Sequence, residues 1–429
     1  MFLLWFIFLL EGIIISIFKS YIADNCFGLE IFIITVHFIF TSFVIMRQNI
    51  GKNARLLSLA GILIRIAMIG WDIYCRDIYV LPNSGLDSEM YYYGAVNGYL
   101  YGQYGRSGGY GRFLAFWFRL FGVQRYCVQY TNVILICSTM LLVIRIMEEL
   151  EINAYTKDLI VSLLMVLPNT ILTNSILLRE TLICFLVSFS LYSFIKWNRQ
   201  GYVIYLVSSF GMALLASTIH SGAIAILFGE IIVMILYNRA AYSVQLNTRG
   251  VTVAVLSLAL FVILYRYYGS IFLGKFQRVD SIESIMNTAN LYNHGGAAYD
   301  AGFQINNSYL NLIINTPIRM LYFLISPMPW DWRGIMDIIT FCFSSTVFVY
   351  SLWCAILEMK SASDEMSKSF VIVFLIFGLC AALIFAWGVS NAGTAVRHRE
   401  KFIVVFLLLI AVCNDCKWKR IWESMNETY

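Results

Sequence analysis

Apolar runs of membrane-spanning length alternate with short charged turns along almost the whole chain. Candidate spans cover 2–18, 29–46, 55–73, 124–146, 158–175, 180–196, 202–218, 222–237, 251–267, 334–356, 369–389 and 401–414. A helix needs roughly 20 apolar residues to cross a bilayer, and helices satisfy their own backbone there. The pattern therefore predicts an all-α polytopic membrane protein with about 12 transmembrane helices in a single integral membrane domain over 1–429. The first run has no basic flank and no small-residue cleavage site, so it reads as a retained span.

Cations in the short turns orient these spans. Arg47, Lys52 and Arg55 lie between the second and third, Lys196 and Arg199 between the sixth and seventh, and Arg239 and Arg249 between the eighth and ninth. Lys360 and Lys368 precede the penultimate run; Lys417, Lys419 and Arg420 follow the last. Placing all of them in the cytoplasm obeys the positive-inside rule and puts both termini inside. The segments 72–123 and 268–333 then become extracytoplasmic, together with the turns around 168–180, 218–222 and 390–401. Within them 113–121 (FLAFWFRLF) is too short to span and predicts an interfacial helix. The stretch 309–325, broken by Pro317 and Arg319, predicts an interfacial or re-entrant one.

Composition sharpens this picture. The 429 residues are 60% hydrophobic and 13% charged, with a mean hydropathy of +0.75. A soluble chain would carry about 25% charged residues. Ten cysteines lie scattered, mostly in apolar runs, and give no disulfide framework. Cys413 and Cys416 form a lone CxxC. There is no nucleic-acid module, no internal repeat, no DxD pair and no His/Cys cluster, so neither a metal nor another cofactor is expected.

The outer side collects the chemistry. Its longest polar run, 72–112, mixes the acids Asp77, Asp87 and Glu89 with Arg76, Arg106 and Arg112 and many tyrosines and glycines. Tyrosines such as Tyr91 and Tyr92 offer flat faces to sugars; glycines let a backbone approach a ligand. A helix over 88–101 with Asp87 as its cap is expected. Further cations assigned to this side are Arg125, Arg179, Arg266, Lys275, Arg278, Arg319, Arg333, Arg397, Arg399 and Lys401. Gathered guanidinium groups suit a phosphate or pyrophosphate, which they grip by paired hydrogen bonds.

Four short motifs stand out. In PNTILTNSILLRET, Arg179 could hold a phosphate and Glu180 orient it or act as a base, although an acid at a helix start is also what the dipole favours. In NAGTAVRHREK, Asn391, Gly393 and Thr394 read as a loop ending in a helix N-cap, with Arg397, His398 and Arg399 in the first turn against the dipole. TIHSG puts His220 at the outer end of a span. PIRMLYFLISPMPWDWR carries Arg319 and a tryptophan platform on which Trp330 could stack a sugar. Asp87, Glu180 and His220 are the candidate bases for an acceptor hydroxyl. Inside apolar runs, Arg65, Asp72, Glu11 and Glu230 read as structural partners or cavity lining.

LDSEMYYYGA, PNTILTNSILLRET, PMPW and NAGTAVRHRE, in this order and on one face, resemble the Wzy-type polymerases of bacterial O-antigen and capsular polysaccharide. More broadly they look like the GT-C membrane glycosyltransferases that use polyprenyl phosphates. The resemblance implies a bacterial inner-membrane enzyme with large extracytoplasmic loops and a metal-independent site facing the periplasm. It would serve lipopolysaccharide or capsule synthesis by moving a glycan from undecaprenyl pyrophosphate onto an acceptor lipid-linked oligosaccharide. Membrane lipid and a chain-length regulator protein are the further partners implied, and nucleic acid is not. Arg179, Arg397 and Arg399 match the arginines expected on pyrophosphate; Arg112 and Arg319 join them by position. Asp87 falls where an acid of the first large outer loop is expected, here after the third span. A flippase or transporter for the same lipid-linked oligosaccharide, an O-antigen ligase and an O-acyltransferase using His220 remain the rivals.

Overall fold

The computed structural model describes residues 1–238, 243–244, 248–273, 281–291, 297–299, 301–303, 305–361 and 365–426. Arg239, Lys275 and Arg278, assigned above to loops, lie outside the described residues. The first helices are α1 (Phe2–Phe18), α2 (Phe27–Met46), α3 (Lys52–Tyr74), α4 (Leu86–Tyr101), α5 (Gly108–Phe121) and α6 (Arg125–Glu149). There follow α7 (Ala154–Val166), α8 (Pro168–Ser175), α9 (Glu180–Gln200), α10 (Val203–Ile219), α11 (Ala225–Leu236), α12 (Thr248–Leu273) and α13 (Ile282–Leu291). The last are α14 (Ser308–Ile325), α15 (Ile335–Thr340), α16 (Thr346–Ser361), α17 (Glu365–Ala386), α18 (Ala392–Glu400) and α19 (Ile403–Asn426). Among the described residues, strand pairing is confined to Tyr237–Asn238 with Ser243–Val244 and one bridge between Ala298 and Asn391.

The chain is an all-α, polytopic membrane protein by its helices. Among the described residues, seven are long and apolar enough to cross a bilayer: α1, α2, α3, α6, α9, the α15–α16 run and α17. The pair α7 and α8, bent by 49° at its break, makes an eighth if it is one span. Each of the twelve apolar segments expected from sequence is helical, but several are short: α10 has 17 residues and α11 has 12.

Contacts divide the chain into two compact units, Met1–Ile144 with Val161–Phe185, and Arg145–Ile160 with Leu186–Tyr429. In the first unit, α1, α2 and α3 leave large apolar side chains such as Phe6, Phe32 and Leu63 exposed, as helices facing lipid do. The unit also contains a backbone break between two apolar helices. Pro168 opens α8 where it needs no N–H, and the freed carbonyls around the break need donors. Side chains from neighbouring helices provide them. Arg65 on α3 donates to Met165 O at 2.6 Å, and Gln129 and Asn132 on α6 donate to Ser175 O (2.6 Å) and Ile176 O (2.8 Å). Gln129 also donates to Asp72, and Arg65 to Asn174. Arg65 is thus a structural partner of the broken helix, and Asp72 is linked to it through Gln129.

In the same unit α4 lies against α5, with Ser88, Tyr91, Tyr92, Ala95 and Gly98 on its buried face. This spacing is one stripe of an α-helix. A Cβ on Gly98 would sit 2.3 Å from the Tyr104 ring, and one on Gly111 would sit 1.9 Å from Ser107 Oγ. These glycines permit close approach of the chain to itself, where the sequence suggests approach to a ligand.

In the second unit α14 packs on α17 and α18, and α17 on α11 and α19. α14 contains Pro317 and starts at Asn307, whose side chain accepts from the amides of Tyr309 and Leu310. It is not among the seven candidate spans. The strip 297–299 pairs with the α17–α18 connection: Tyr299 N donates to Ser390 O and Ala392 N to Ala297 O.

Candidate functional site

Two groups of candidate residues form, one in each unit. In the second unit α18 is the organising element. Asn391 caps it, accepting from Thr394 N, so Gly393 and Thr394 lie inside the helix and not in the loop expected from sequence. The helix is only nine residues long, however, so Arg397, His398 and Arg399 occupy its last turn. The dipole favours cations there, and the electrostatic conflict expected from sequence does not exist.

Arg399 also differs from expectation. It is 0% exposed. One terminal nitrogen donates to Leu324 O (2.8 Å) and Ser326 O (2.7 Å), the other to Ser344 Oγ (3.1 Å) and Ser345 Oγ (3.0 Å). Those serines lie on a π-helical turn, Phe341–Ser345, between α15 and α16. Burial pushes its pKa down to about 10, so the group is still charged at neutral pH. A guanidinium committed to protein oxygens on both nitrogens clamps the fold; it does not grip a pyrophosphate.

Around this clamp lie further basic groups. Buried Arg319 donates to Ser390 Oγ at 3.3 Å and sits 4.5 Å from the Trp387 ring. Tyr299 leans on the Tyr322 ring, and burial raises its hydroxyl pKa against the pull of Arg319 and Arg399. Phe385 gathers the imidazoles: His220 stacks on it at 5.4 Å, and His398 meets it at 5.1 Å. The two imidazole rings are 4.9 Å apart. His220 Nδ1 accepts from Gly222 N at 3.1 Å, so in the neutral ring the proton is on Nε2. The candidate base is therefore arranged as a donor. Buried Lys401 stands 2.6 Å from His398 Nδ1; an ammonium only donates, which puts the proton of His398 on Nε2 as well. Trp330 is 71% exposed and donates to Tyr322 OH at 3.1 Å, leaving its ring open.

In the first unit Arg179 lies 5.7 Å from the Tyr91 ring, between α8 and α9. Glu180 opens α9 as its first residue and is buried. Tyr110 meets Tyr91 edge-on at 5.1 Å. Burial, then the charge of Glu180, raises the Tyr110 hydroxyl pKa well above the ordinary range. Arg179, Glu180, Tyr91 and Tyr110 therefore form one cluster. Tyr91 and Tyr92 are 2% and 8% exposed, their rings covered by Tyr110, Phe118 and the Arg125 guanidinium. They are core residues, and their expected role as sugar platforms is corrected. Asp87 is partly exposed at the second position of α4; Gly85 occupies the cap in its place. Arg112 is exposed, 5.6 Å from the Tyr104 ring.

Several residues here are not among the candidate site residues read from sequence. Glu89 takes a two-pronged hydrogen bond from Arg125 (2.6 and 3.0 Å) and another from Arg76, which also holds Asp72. Burial would raise its carboxyl pKa, but Arg125 and Arg76 outweigh it and hold the group below the usual range. Lys401, Tyr299 and the Ser344–Ser345 pair are the others. Adjacent serines inside an apolar run were the available signal for the last. Among the described residues no three His, Cys, Asp or Glu side chains converge as a metal site would require.

The chain matches no known protein family, no curated protein and no solved structure.

Proposed function

We propose that the protein is a membrane glycosyltransferase of the O-antigen or capsule polymerase type. It would transfer a glycan from undecaprenyl pyrophosphate to an acceptor lipid-linked oligosaccharide, without a metal, at the periplasmic face of the bacterial inner membrane. The observation that carries this reading is the basic corner of the second unit. Arg319, Arg397, His398 and Lys401, with His220, stand around α18 with Glu400 as the acid on that helix. A departing pyrophosphate needs preplaced positive charge and hydrogen-bond donors. Arg397 and Arg319 supply the charge in this reading, the two Nε2–H groups supply donors, and Arg399 holds α18 in place. Trp330 offers an open ring for a sugar.

The test is removal of the gene followed by electrophoresis of the surface polysaccharide. Loss of the ladder with single repeat units retained supports a polymerase. Loss of all capped material identifies a ligase or flippase. The transporter reading is the one a specific observation favours as second, because a fully buried acid, Glu230, stands in the apolar interior of the second unit. Arg397→Ala expressed at normal level with a full ladder would overturn the assignment of the basic corner.

A further inference from the structure

On α11, Glu230 is 0% exposed. Its Oε1 lies 2.6 Å from the Ser190 hydroxyl on α9 and 2.5 Å from the Ser209 hydroxyl on α10. The serines also reach each other's backbone: Ser190 Oγ is 2.9 Å from Ser209 O, and Ser209 Oγ is 2.8 Å from Ser190 O. Oε2 is buried and has no hydrogen-bond partner among the described residues. Nor does any ion pair among them involve Glu230. Among the described residues, the stretches of chain packed around it carry no charged residue. α10 and the turn Ser221–Ile224 contain no charged residue, and neither do 251–265 of α12 or 369–386 of α17. Lys196, further along α9, pairs with Glu149.

We propose that this is a proton-binding site, with Glu230 held as a neutral carboxylic acid between α9, α10 and α11. Counting protons leads to it. Four short oxygen–oxygen contacts converge here, and the two serine hydroxyls supply two protons. An ionised carboxylate supplies none, so two contacts would set lone pair against lone pair. A carboxylic acid supplies a third proton. Oε1–H then donates to Ser209 Oγ, Ser209 O–H to Ser190 O, and Ser190 O–H to Oε1. The longest contact, from Ser190 Oγ to Ser209 O, is left without a proton, on a carbonyl that already serves its own helix. The lone Oε2 fits as well. A buried carbonyl oxygen without a donor loses far less than a buried carboxylate oxygen does.

A metal ion fits poorly between the same atoms. Hard cations sit about 2.0–2.6 Å from each oxygen ligand and spread those ligands apart. The oxygens here are at hydrogen-bond separation. The ligand assigned to the site is therefore the proton itself. This inference is independent of the glycan reading.

Infrared spectroscopy of the full-length protein in nanodiscs at neutral pH tests it. The wild type minus Glu230→Gln difference is expected to contain a carbonyl-stretch band of a protonated carboxyl. The band should move on transfer to heavy water and shift in Ser209→Ala, which keeps the acid and removes a partner. If the difference shows only carboxylate bands, the proposal is overturned. Should Glu230→Gln fail to fold, Ser209→Ala decides: an unshifted protonated-carboxyl region overturns the proposal. Melting in sodium chloride against choline chloride at equal ionic strength is the second arm. Stabilisation by sodium that requires Glu230 would assign the site to a metal ion and equally overturn it.

Discussion

The Arg399 guanidinium donates to the backbone oxygen of Ser326 at 2.7 Å from the last turn of α18. The same side chain reaches the π-helical turn before α16, so one buried cation joins α18, the end of α14 and the α15–α16 span. Arg399→Ala would remove the donor of Leu324 O and of the Ser344 and Ser345 hydroxyls, and leave Ser326 O with Ser345 Oγ alone, at 3.3 Å. An unsatisfied buried polar group costs about 1–3 kcal/mol. Arg399→Ala is expected to lower the melting temperature and the yield of folded protein, whereas Arg397→Ala is expected to keep both and lose polysaccharide chain growth. Size-exclusion profiles after a heating series separate the two outcomes.

Asn132→Leu should destabilise the first unit by about 1–3 kcal/mol, because Ile176 O loses its side-chain donor and keeps only the amide of Leu178. Asn132→Asp should do worse, adding a buried charge while removing the donor. Melting curves of the two variants, ranked against wild type, check the order.

Gly61 and Gly28 both lie in candidate spans, but their surroundings differ. A Cβ on Gly61 would sit 2.3 Å from the backbone oxygen of Met165, and nothing lies within 4 Å of one on Gly28. Backbone yields less readily than a side-chain tip, so Gly61→Ala is expected to cost about 1–3 kcal/mol. Gly28→Ala is expected to stay within about 0.5 kcal/mol of wild type. Equal melting temperatures for the two variants would contradict the close packing of α3 against the broken helix.

Glu89 carries a pH dependence whose sign follows from its bonds. Its folded pKa is depressed by Arg125 and Arg76 despite burial. The stability it contributes is therefore complete above the ordinary carboxylate range and disappears as pH falls through the folded value. Glu89→Gln should melt below wild type at neutral pH, and the gap should close on acidification. Parallel curves at all pH values would exclude the linkage.

The helical layout is legible in the sequence because apolar run length reports it directly, and the helix at 180 begins where the acid of Arg179–Glu180 suggests. The burial of Tyr91 and Tyr92 was legible too, in the spacing of Ser88, Tyr91, Tyr92, Ala95 and Gly98. The tyrosine and glycine content of that run drew attention to ligands instead. Other features left little trace. The turn that ends α18 and precedes α19 contains neither glycine nor proline, so nothing local showed that Arg397 to Arg399 close a helix. Gln129 and Asn132, by contrast, were visible as amides inside a long apolar run, and their targets were not, because those lie some 45 residues further on, at and just past the end of α8.

The break between α7 and α9 has its shape written in helices to which it does not belong. Arg65, Gln129 and Asn132 act as a mould, and the segment 165–176 is the casting. Transplanting that segment alone into another bundle would not carry its bend along, whereas exchanging it together with α3 and α6 would.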